Sequence, residues 1–415
     1  MLIRIFCLAY IFFAPFTTWL ALSGWLRLPV VLLLSTLTVS SFFLIKNLFK
    51  NPLELLEDKE DYMLLLFLIV VWLSFFCGFG NARSFNHTLS YTFSVFAYFI
   101  IFKYLLFKKN FTVSTLAGVI AYSVIFNNII IIVEWVLINF YDFPIRDYFL
   151  TGGPDTSNMS YYWHSFFTSV GGTGEEPGGT ASLLNMYFPI GLWFFSKKNS
   201  SFTIIYILIH IAGLLFLTSA AGLVILPLSY ILVNISKWKF LVKYSYIPVL
   251  VILTISLLYM TDFFNFQVFG DKFYSYIEEK ATFSENNFSG SDRKVKSEFA
   301  LVDWAKSPLL GNGPGYGIEE RSTGYFNMFL TFLADTGTIS FLLFIFFLVT
   351  IFMKLNKLPI YEKFFFMMSF FCLILHACVY YVYYHGPFWI TIIVIQLMYR
   401  ECYKKTATAN ISSTN

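Results

Sequence analysis

Residues 289–317, SGSDRKVKSEFALVDWAKSPLLGNGPGYG, form a charged segment that ends in a glycine-rich turn within an otherwise very apolar chain. Of the 415 residues, 58% are hydrophobic, 21% are aromatic and only 13% are charged, and the mean hydropathy is +0.69. A soluble domain of this length does not normally reach such values. The chain is therefore predicted to lie in a bilayer, with this segment facing water and offering its cations to an anionic ligand.

Apolar runs divide the chain into candidate membrane spans. Crossing about 30 Å of hydrocarbon takes about 20 helical residues, and twelve runs approach or exceed that length. Three of them, 180–195, 222–235 and 387–399, are short enough to be re-entrant or tilted pieces. We therefore expect an all-α polytopic membrane protein with about 12 transmembrane helices in one domain, 1–415. The runs are 3–22, 28–45, 62–79, 88–107, 113–138, 180–195, 201–217, 222–235, 245–261, 325–353, 364–381 and 387–399.

Lysine and arginine residues are distributed unevenly over the loops. With the N-terminus in the cytoplasm, eighteen of the 28 cations lie on the cytoplasmic side, and the shorter outer loops contain only Arg27, Arg83 and Arg146. This bias is the one that orients membrane proteins, so both termini are predicted to be cytoplasmic. Because topology accounts for the net charge of +4, we expect the lipid bilayer and no nucleic acid among the partners.

Two outward segments are large, residues 139–179 and 262–324. Loops cannot lie exposed in hydrocarbon, so these two periplasmic loops must cap the bundle or line a wet cavity. Neither loop shows a ligand cluster for a divalent ion, and no Asp-x-Asp sequence occurs in the chain. We therefore expect the chemistry to occur there without a metal ion or another cofactor.

The first loop offers three candidate polar residues. Glu175 and Glu176 immediately precede Pro177 and a new apolar run, where a carboxylate could accept a proton or orient a sugar hydroxyl. The alternative interpretation is that two acidic residues simply favour a helix N-terminus. His164, within YYWHSFF, is a possible base or an ordinary member of an aromatic interfacial loop.

The second loop offers cations. Arg293 and Lys294 precede the pattern AxxxxAK between Ala300 and Lys306, which predicts a short amphipathic helix followed by a proline and glycine turn in which backbone approaches something closely. Arg321 lies just before the next helix, where it would join the positive N-terminal end in attracting phosphate. The remaining charges of the loop are interpreted as solvated surface.

The apolar run after Gly324 contains a polar stripe. Asn327, Thr331 and Asp335 are four residues apart and share one helical face. A polar stripe at membrane depth must face protein or water, so these residues are predicted to contact substrate. The run exceeds the thickness of the bilayer core, so it is predicted either to start above the membrane or to break near Asp335-Thr336-Gly337.

In order and spacing, these motifs resemble those of the bacterial O-antigen polymerase and O-antigen ligase family over roughly residues 170–345. Arg293 is followed by Pro308 fifteen residues later and Gly311 eighteen residues later, similar to the family's arginine, amphipathic helix and P-L-x-G-x-G turn. The other similar elements are Glu176-Pro177 with Ala181, LTSAAG at 217–222, and Asn327 with Gly337.

The resemblance implies a bundle like that of the C-type glycosyltransferases in the bacterial inner membrane, with a periplasmic active site. A polymerase of this family transfers the growing glycan from undecaprenyl pyrophosphate to the non-reducing end of a lipid-linked repeat unit. Arg293 and Arg321 would then hold the pyrophosphate, Glu176 would be the base or a hydroxyl ligand, and Asn327 would position a substrate. A chain-length regulator and a flippase of the same pathway are implied partners.

Two alternatives differ in their sequence requirements. A ligase that joins glycan to lipid A core carries a histidine immediately before the family's asparagine, and this chain has Phe326 there. No arginine lies in the few residues before Glu175, where the family often has one. A lipid-linked oligosaccharide flippase needs no long charged outer loop and would show two related halves. These differences favour the polymerase.

Overall fold

The computed structural model describes residues 1–19, 26–51, 55, 56, 58–145, 162, 163, 168–174, 176–234 and 288–412. This part of the chain is almost entirely helical, and its one strand pair is the two-residue hairpin of Tyr162–Trp163 with Thr168–Ser169. The helices, numbered α1 to α13 in chain order, are Leu2–Phe13, Leu28–Lys50, Lys59–Cys77, Ala82–Lys108, Val113–Tyr141, Pro177–Ser196, Ser200–Leu217, Ala220–Asn234, Phe288–Lys306, Tyr316–Arg321, Met328–Asn356, Ile360–Ala377 and Gly386–Ser412.

Several helices begin at side chains that satisfy their first backbone N–H groups. Asn81 accepts a hydrogen bond at the start of α4, Thr112 at the start of α5 and Asn199 at the start of α7. Asp58 and Asp61 form a reciprocal capping box at the start of α3. Such caps stabilise a helix by about 1 kcal/mol each, so the polar residues between the apolar runs define where the helices begin.

Within the described residues, seven helices have the length and apolar composition needed to cross a membrane: α2 to α5, α7, α11 and α12. Apolar side chains such as Phe42, Phe76 and Phe346 point outward and are largely exposed, as expected for surfaces that face lipid. The prediction of an all-α polytopic membrane protein is confirmed at this level. The count of twelve spans stays a prediction, and the run 245–261 lies outside the described residues.

The bounds of three predicted elements can be compared with the structure. The first apolar run was expected to be helical over 3–22, but α1 ends at Phe13, because Pro15 follows and has no backbone N–H to continue the helical hydrogen bonds. The last helix continues beyond the predicted residue 399 to Ser412. The predicted break in the run 325–353 is confirmed at Gly337, where φ is 78° and ψ is 178°.

The bundle packs around two main pairings, α3 along α11 and α6 between α5 and α12. Trp389, Tyr383, Phe67 and Phe332 are fully buried in the core between these helices. One end of α3 is held by Asp58, which pairs with Lys103, Lys354 and Arg400 of α4, α11 and α13. The opposite end of the same bundle, where α3, α6 and α11 meet the loop residues, contains the site described next.

Candidate functional site at the loop end of the bundle

The turn between α9 and α10 docks into the break of α11. The Gly313 N–H donates to the Asp335 carbonyl at 2.9 Å, and the Thr338 N–H donates to the Pro308 carbonyl at 2.9 Å. The backbone of the turn and the backbone of α11 are therefore hydrogen-bonded to each other on both sides of Gly337. The break exposes helix carbonyls that would otherwise lack partners, and the turn satisfies them.

Glycines make this close approach possible. Gly311 has φ of 74°, and a Cβ atom there would lie 2.4 Å from the Asp335 carbonyl oxygen. A Cβ atom on Gly337 would lie 2.2 Å from the Leu309 carbonyl oxygen. Both positions need a left-handed conformation and no side chain. The prediction of a close backbone approach is confirmed, and the surface approached is α11 itself.

The predicted polar stripe on α11 is occupied by contacts within the protein. The Asn327 side chain caps the helix by accepting from Phe329 N at 2.9 Å, and Thr331 Oγ1 donates to the Asn327 carbonyl at 2.8 Å. Asp335 Oδ2 accepts from Gly315 N at 2.9 Å. Thr331 and Asp335 are buried. These groups hold the helix start and the docked turn, and the predicted contact of the stripe with substrate stays a prediction.

Arg321 is paired with a buried carboxylate and is not free to hold pyrophosphate alone. Its Nε and Nη2 atoms donate to the two carboxylate oxygens of Asp303, each at 2.7 Å. Lys306 Nζ lies 2.8 Å from the same carboxylate, and the Tyr325 hydroxyl donates to it at 2.7 Å. Burial alone would raise the pKa of Asp303, but the hydrogen bonds from these three donors together have the larger effect and lower it to about 2. The cluster fastens α9 to the segment 316–325.

A polar cavity of about 280 Å³ lies beside this cluster, between the start of α6, the segment before α11 and the turn between α12 and α13. Glu176 lines it from α6 and Lys296 from α9. The other lining residues are Thr17, Gly179, Ser182, Leu183, Thr323, Gly324, Tyr325, Phe326, Tyr380, Tyr381, Val382 and His385. We call this space the charged cavity.

Arg293 borders the charged cavity through two of its lining residues. Its Nη2 donates to the Tyr380 hydroxyl at 3.1 Å. Its Cζ lies 5.2 Å from the Tyr380 ring centroid and 5.5 Å from that of Phe326. The buried Nε atom has no hydrogen-bond partner within the described residues, and no carboxylate in that part of the chain pairs with the guanidinium. The guanidinium is therefore a fixed positive charge whose Nε–H group has no acceptor among the described residues.

Lys296 places a second cation at the cavity, a residue that the sequence reasoning missed. It lies three positions after Arg293, and thus on the same face of α9. Its Nζ is 4.3 Å from the Phe326 ring centroid and 2.7 Å from Asp292 Oδ2. Phe326 therefore supports both cations through cation–π contacts. The helical spacing from Arg293 is the signal that could have identified Lys296.

The other predicted site residues are distributed as follows. Glu176 immediately precedes α6, is half-buried and lines the charged cavity; its carbonyl accepts from Thr180 N at 3.0 Å. Lys294 is exposed and is not a lining residue. Glu175 and His164 lie outside the described residues. The structure thus brings Glu176 to the charged cavity, places Arg293 against Tyr380 and Phe326, which line it, and pairs Arg321 with Asp303 in the neighbouring cluster.

A larger chamber of about 1060 Å³ adjoins the charged cavity. Thr17, Tyr381 and His385 line both spaces. Along α4 the chamber reaches from Asn86 to Tyr98, which are twelve residues and therefore about 18 Å apart along a helix. Its remaining lining residues are Ala14, Arg27, Pro29, Val30, Leu34, Leu89, Ser90, Phe93, Ser94, Tyr384 and Gly386.

The chamber wall includes an unusual stretch of helix. Residues Ser94–Ile101 of α4 are π-helical, and Ser94 and Tyr98 face the chamber. Such wide turns are rare and are often found at functional sites. The chamber is mostly apolar and extends to the middle of the candidate span α4, whereas the charged cavity adjoins it at Thr17, Tyr381 and His385.

Neither the family models nor the curated proteins include one that matches this chain. Within the described residues, no group of three or more His, Cys, Asp or Glu side chains is arranged to hold a metal ion. Function is therefore inferred from the geometry of the charged cavity and the chamber, together with the resemblance of the ordered motifs.

Proposed function

We propose that the protein is an O-antigen or related surface-polysaccharide polymerase of the bacterial inner membrane. It transfers a growing glycan from undecaprenyl pyrophosphate to the non-reducing end of a lipid-linked repeat unit. The observation that carries the proposal is the Arg293 guanidinium, which is positioned by Tyr380 and Phe326 and has a buried N–H without a partner in the described part of the chain.

The charges at the cavity suit a pyrophosphate leaving group. A buried donor without a partner costs about 1–3 kcal/mol, and an anionic ligand that accepts from Arg293 Nε would remove that cost. Lys296 adds a second positive charge at the Phe326 ring. Arginine can bind phosphate oxygens with two parallel hydrogen bonds. Lysine is a point charge on a flexible side chain, so its ammonium group can move toward the negative charge that develops on the leaving pyrophosphate. Fixed cations stabilise the departing pyrophosphate in the transition state.

The carboxylate in the same cavity suits the sugar side of the reaction. Glu176 lines the space that Lys296 also lines, and its carboxylate can accept a hydrogen bond from an acceptor hydroxyl or act as the base. Aromatic side chains surround this position, including Tyr380, Tyr381 and Phe326. Amphipathic rings of this type offer both an apolar face for a sugar ring and, in tyrosine, a hydroxyl.

The chamber suits the isoprenoid part of a lipid-linked substrate. It is mainly apolar, runs about 18 Å along α4 and meets the charged cavity at Thr17, Tyr381 and His385. A lipid whose chain lay in the chamber would bring its pyrophosphate to the end where Arg293 and Lys296 lie. This arrangement supports a substrate that is at once a lipid and an anion.

The lipopolysaccharide of a deletion strain tests the proposed activity. We expect a gel pattern with a single repeat unit on the core, and a full ladder when the intact gene is returned. A strain that lacks even the single repeat would indicate a ligase or a flippase, because both act before or at the attachment of the first unit. An unchanged ladder would contradict any role in the pathway.

A further inference from the structure

His385 is at the junction between the two spaces. It lines the charged cavity together with Glu176 and Lys296, and it also lines the chamber. The residue follows the tyrosine-rich segment 380–384 and immediately precedes α13. Neither the spacing of the ordered motifs nor the charge pattern of the outer loops points to it, since it is about ninety positions from Arg293 in sequence.

The turn that carries His385 is fixed on both sides. Trp389 Nε1 donates to the Tyr383 carbonyl at 2.9 Å, and Phe388 N donates to the His385 carbonyl at 3.2 Å. A Cβ atom on Gly386 would lie 2.6 Å from the Tyr10 hydroxyl, so the backbone there is in close contact with α1. The imidazole therefore projects from a rigid support, which a group that acts on a bound substrate requires.

Three polar groups around the cavity have partners within the protein. The Tyr380 hydroxyl accepts from Arg293, the Tyr381 hydroxyl donates to the Tyr91 hydroxyl at 2.8 Å, and Lys296 is paired with Asp292. Glu176 and His385 are the two lining residues with side chains that ordinarily accept a proton below pH 8. Imidazole ordinarily titrates near pH 6.5, closer to neutral pH than a carboxyl group does, and general bases work best near the operating pH.

We propose that His385 is the catalytic base that takes the proton of the acceptor hydroxyl, with Glu176 as a hydrogen-bonding partner of the sugar. This assignment depends on the proposed polymerase function. In the step, the acceptor O–H bond breaks and its proton passes to a ring nitrogen of His385. The acceptor oxygen forms the new bond to the anomeric carbon, and the bond from that carbon to the pyrophosphate oxygen breaks. Polyprenyl pyrophosphate leaves with the electron pair, and His385 then releases the proton to water.

Purified full-length protein, assayed with synthetic undecaprenyl-pyrophosphate-linked repeat units, tests this role. We expect His385→Ala and His385→Gln to lower turnover at least 100-fold, the lower end of the usual range for a general base, while the KM for the lipid-linked donor changes less than threefold. Added imidazole should partly restore the activity of His385→Ala, since the chamber gives a small molecule access to the space left by the side chain. Glu176→Gln should not respond to imidazole.

The control is His87→Gln, which changes a histidine that contacts Tyr384 and does not line the charged cavity; we expect its turnover to stay within threefold of wild type. Turnover of His385→Gln within threefold of wild type would overturn the assignment, and so would an inactive His385→Ala that imidazole leaves unchanged. Both results are obtained against an active wild-type protein, so they leave the polymerase function standing. A wild-type protein that makes no polymer would instead contradict the proposed function and the role of His385 with it.

Discussion

Replacement of Arg293 should abolish glycan polymerisation without unfolding the protein. The guanidinium is half-buried, donates a hydrogen bond to Tyr380 and packs against the rings of Tyr380 and Phe326. It has no carboxylate partner within the described residues, so Arg293→Ala leaves no buried anion unpaired. The stability lost should therefore be small, on the order of the 1 kcal/mol typical of a hydrogen bond.

The effect on catalysis should be much larger. Removal of a fixed donor that stabilises transition-state charge typically costs about 3–4 kcal/mol, and each 1.4 kcal/mol is about a factor of ten in rate. Arg293→Ala should thus lower turnover by two to three orders of magnitude. Arg293→Lys keeps the charge but loses the paired hydrogen bonds and the planar stacking, so we expect it to retain a small fraction of activity.

The assay is chain formation from lipid-linked repeats in membranes that contain equal amounts of each variant. Arg83→Ala is the matched control, because its guanidinium lies at the same end of the bundle but is half-exposed and paired with Glu319 at 3.1 Å. Its activity should remain within about twofold of wild type, as for other exposed ion pairs worth about 1 kcal/mol or less. Long chains from Arg293→Ala at normal protein levels would refute the placement of pyrophosphate at the charged cavity.

Three further predictions concern stability and topology. Because the pKa of Asp303 is about 2 against an ordinary value of about 3.9, its contribution to stability is present above about pH 4 and is lost as the pH falls through about 2. Thermal unfolding should show this slope between about pH 4 and 2, and Asp303→Asn should flatten it. Gly337→Ala should lower the free energy of unfolding by about 1–3 kcal/mol for the left-handed backbone alone, and displacement of the docked turn adds to that loss. Gly324→Ala should melt like wild type, because the atom nearest to its added Cβ would be 3.8 Å away. Alkaline phosphatase fused after Gly290 should be active and a fusion after Lys239 inactive; the reverse pattern would contradict the predicted orientation.

Much of the bundle could be predicted because its signals are local. The lengths of apolar runs, the capping residues between them and the glycine within 325–353 depend only on neighbouring residues. The break at Gly337 followed from a run too long for the bilayer and a glycine at the right place. Apolar composition alone predicts too long an α1, because it takes no account of Pro15, which lacks the N–H that a further helical turn needs.

The site was only partly predictable because its partners are distant in sequence. Arg293 and Glu176 were identified from the outer loops, but the partner of Arg293, Tyr380, is 87 positions away. Arg321 was expected to bind phosphate, yet a carboxylate 18 positions earlier in the chain pairs with it. Which cation meets a carboxylate and which remains unpaired depends on helix packing, and composition and spacing along a single sequence do not contain that information.

Reconstitution of the purified protein tests the central claim most directly. Liposomes that contain the protein and a synthetic undecaprenyl-pyrophosphate-linked repeat unit, with no other enzyme, should yield a ladder of lipid-linked chains. One undecaprenyl pyrophosphate should be released for each new glycosidic bond, and the Arg293→Ala protein should yield neither product. If the wild-type protein forms no ladder, or forms product only when lipid A core is supplied as the acceptor, the chain is not a polymerase and the proposed reaction at the charged cavity is wrong.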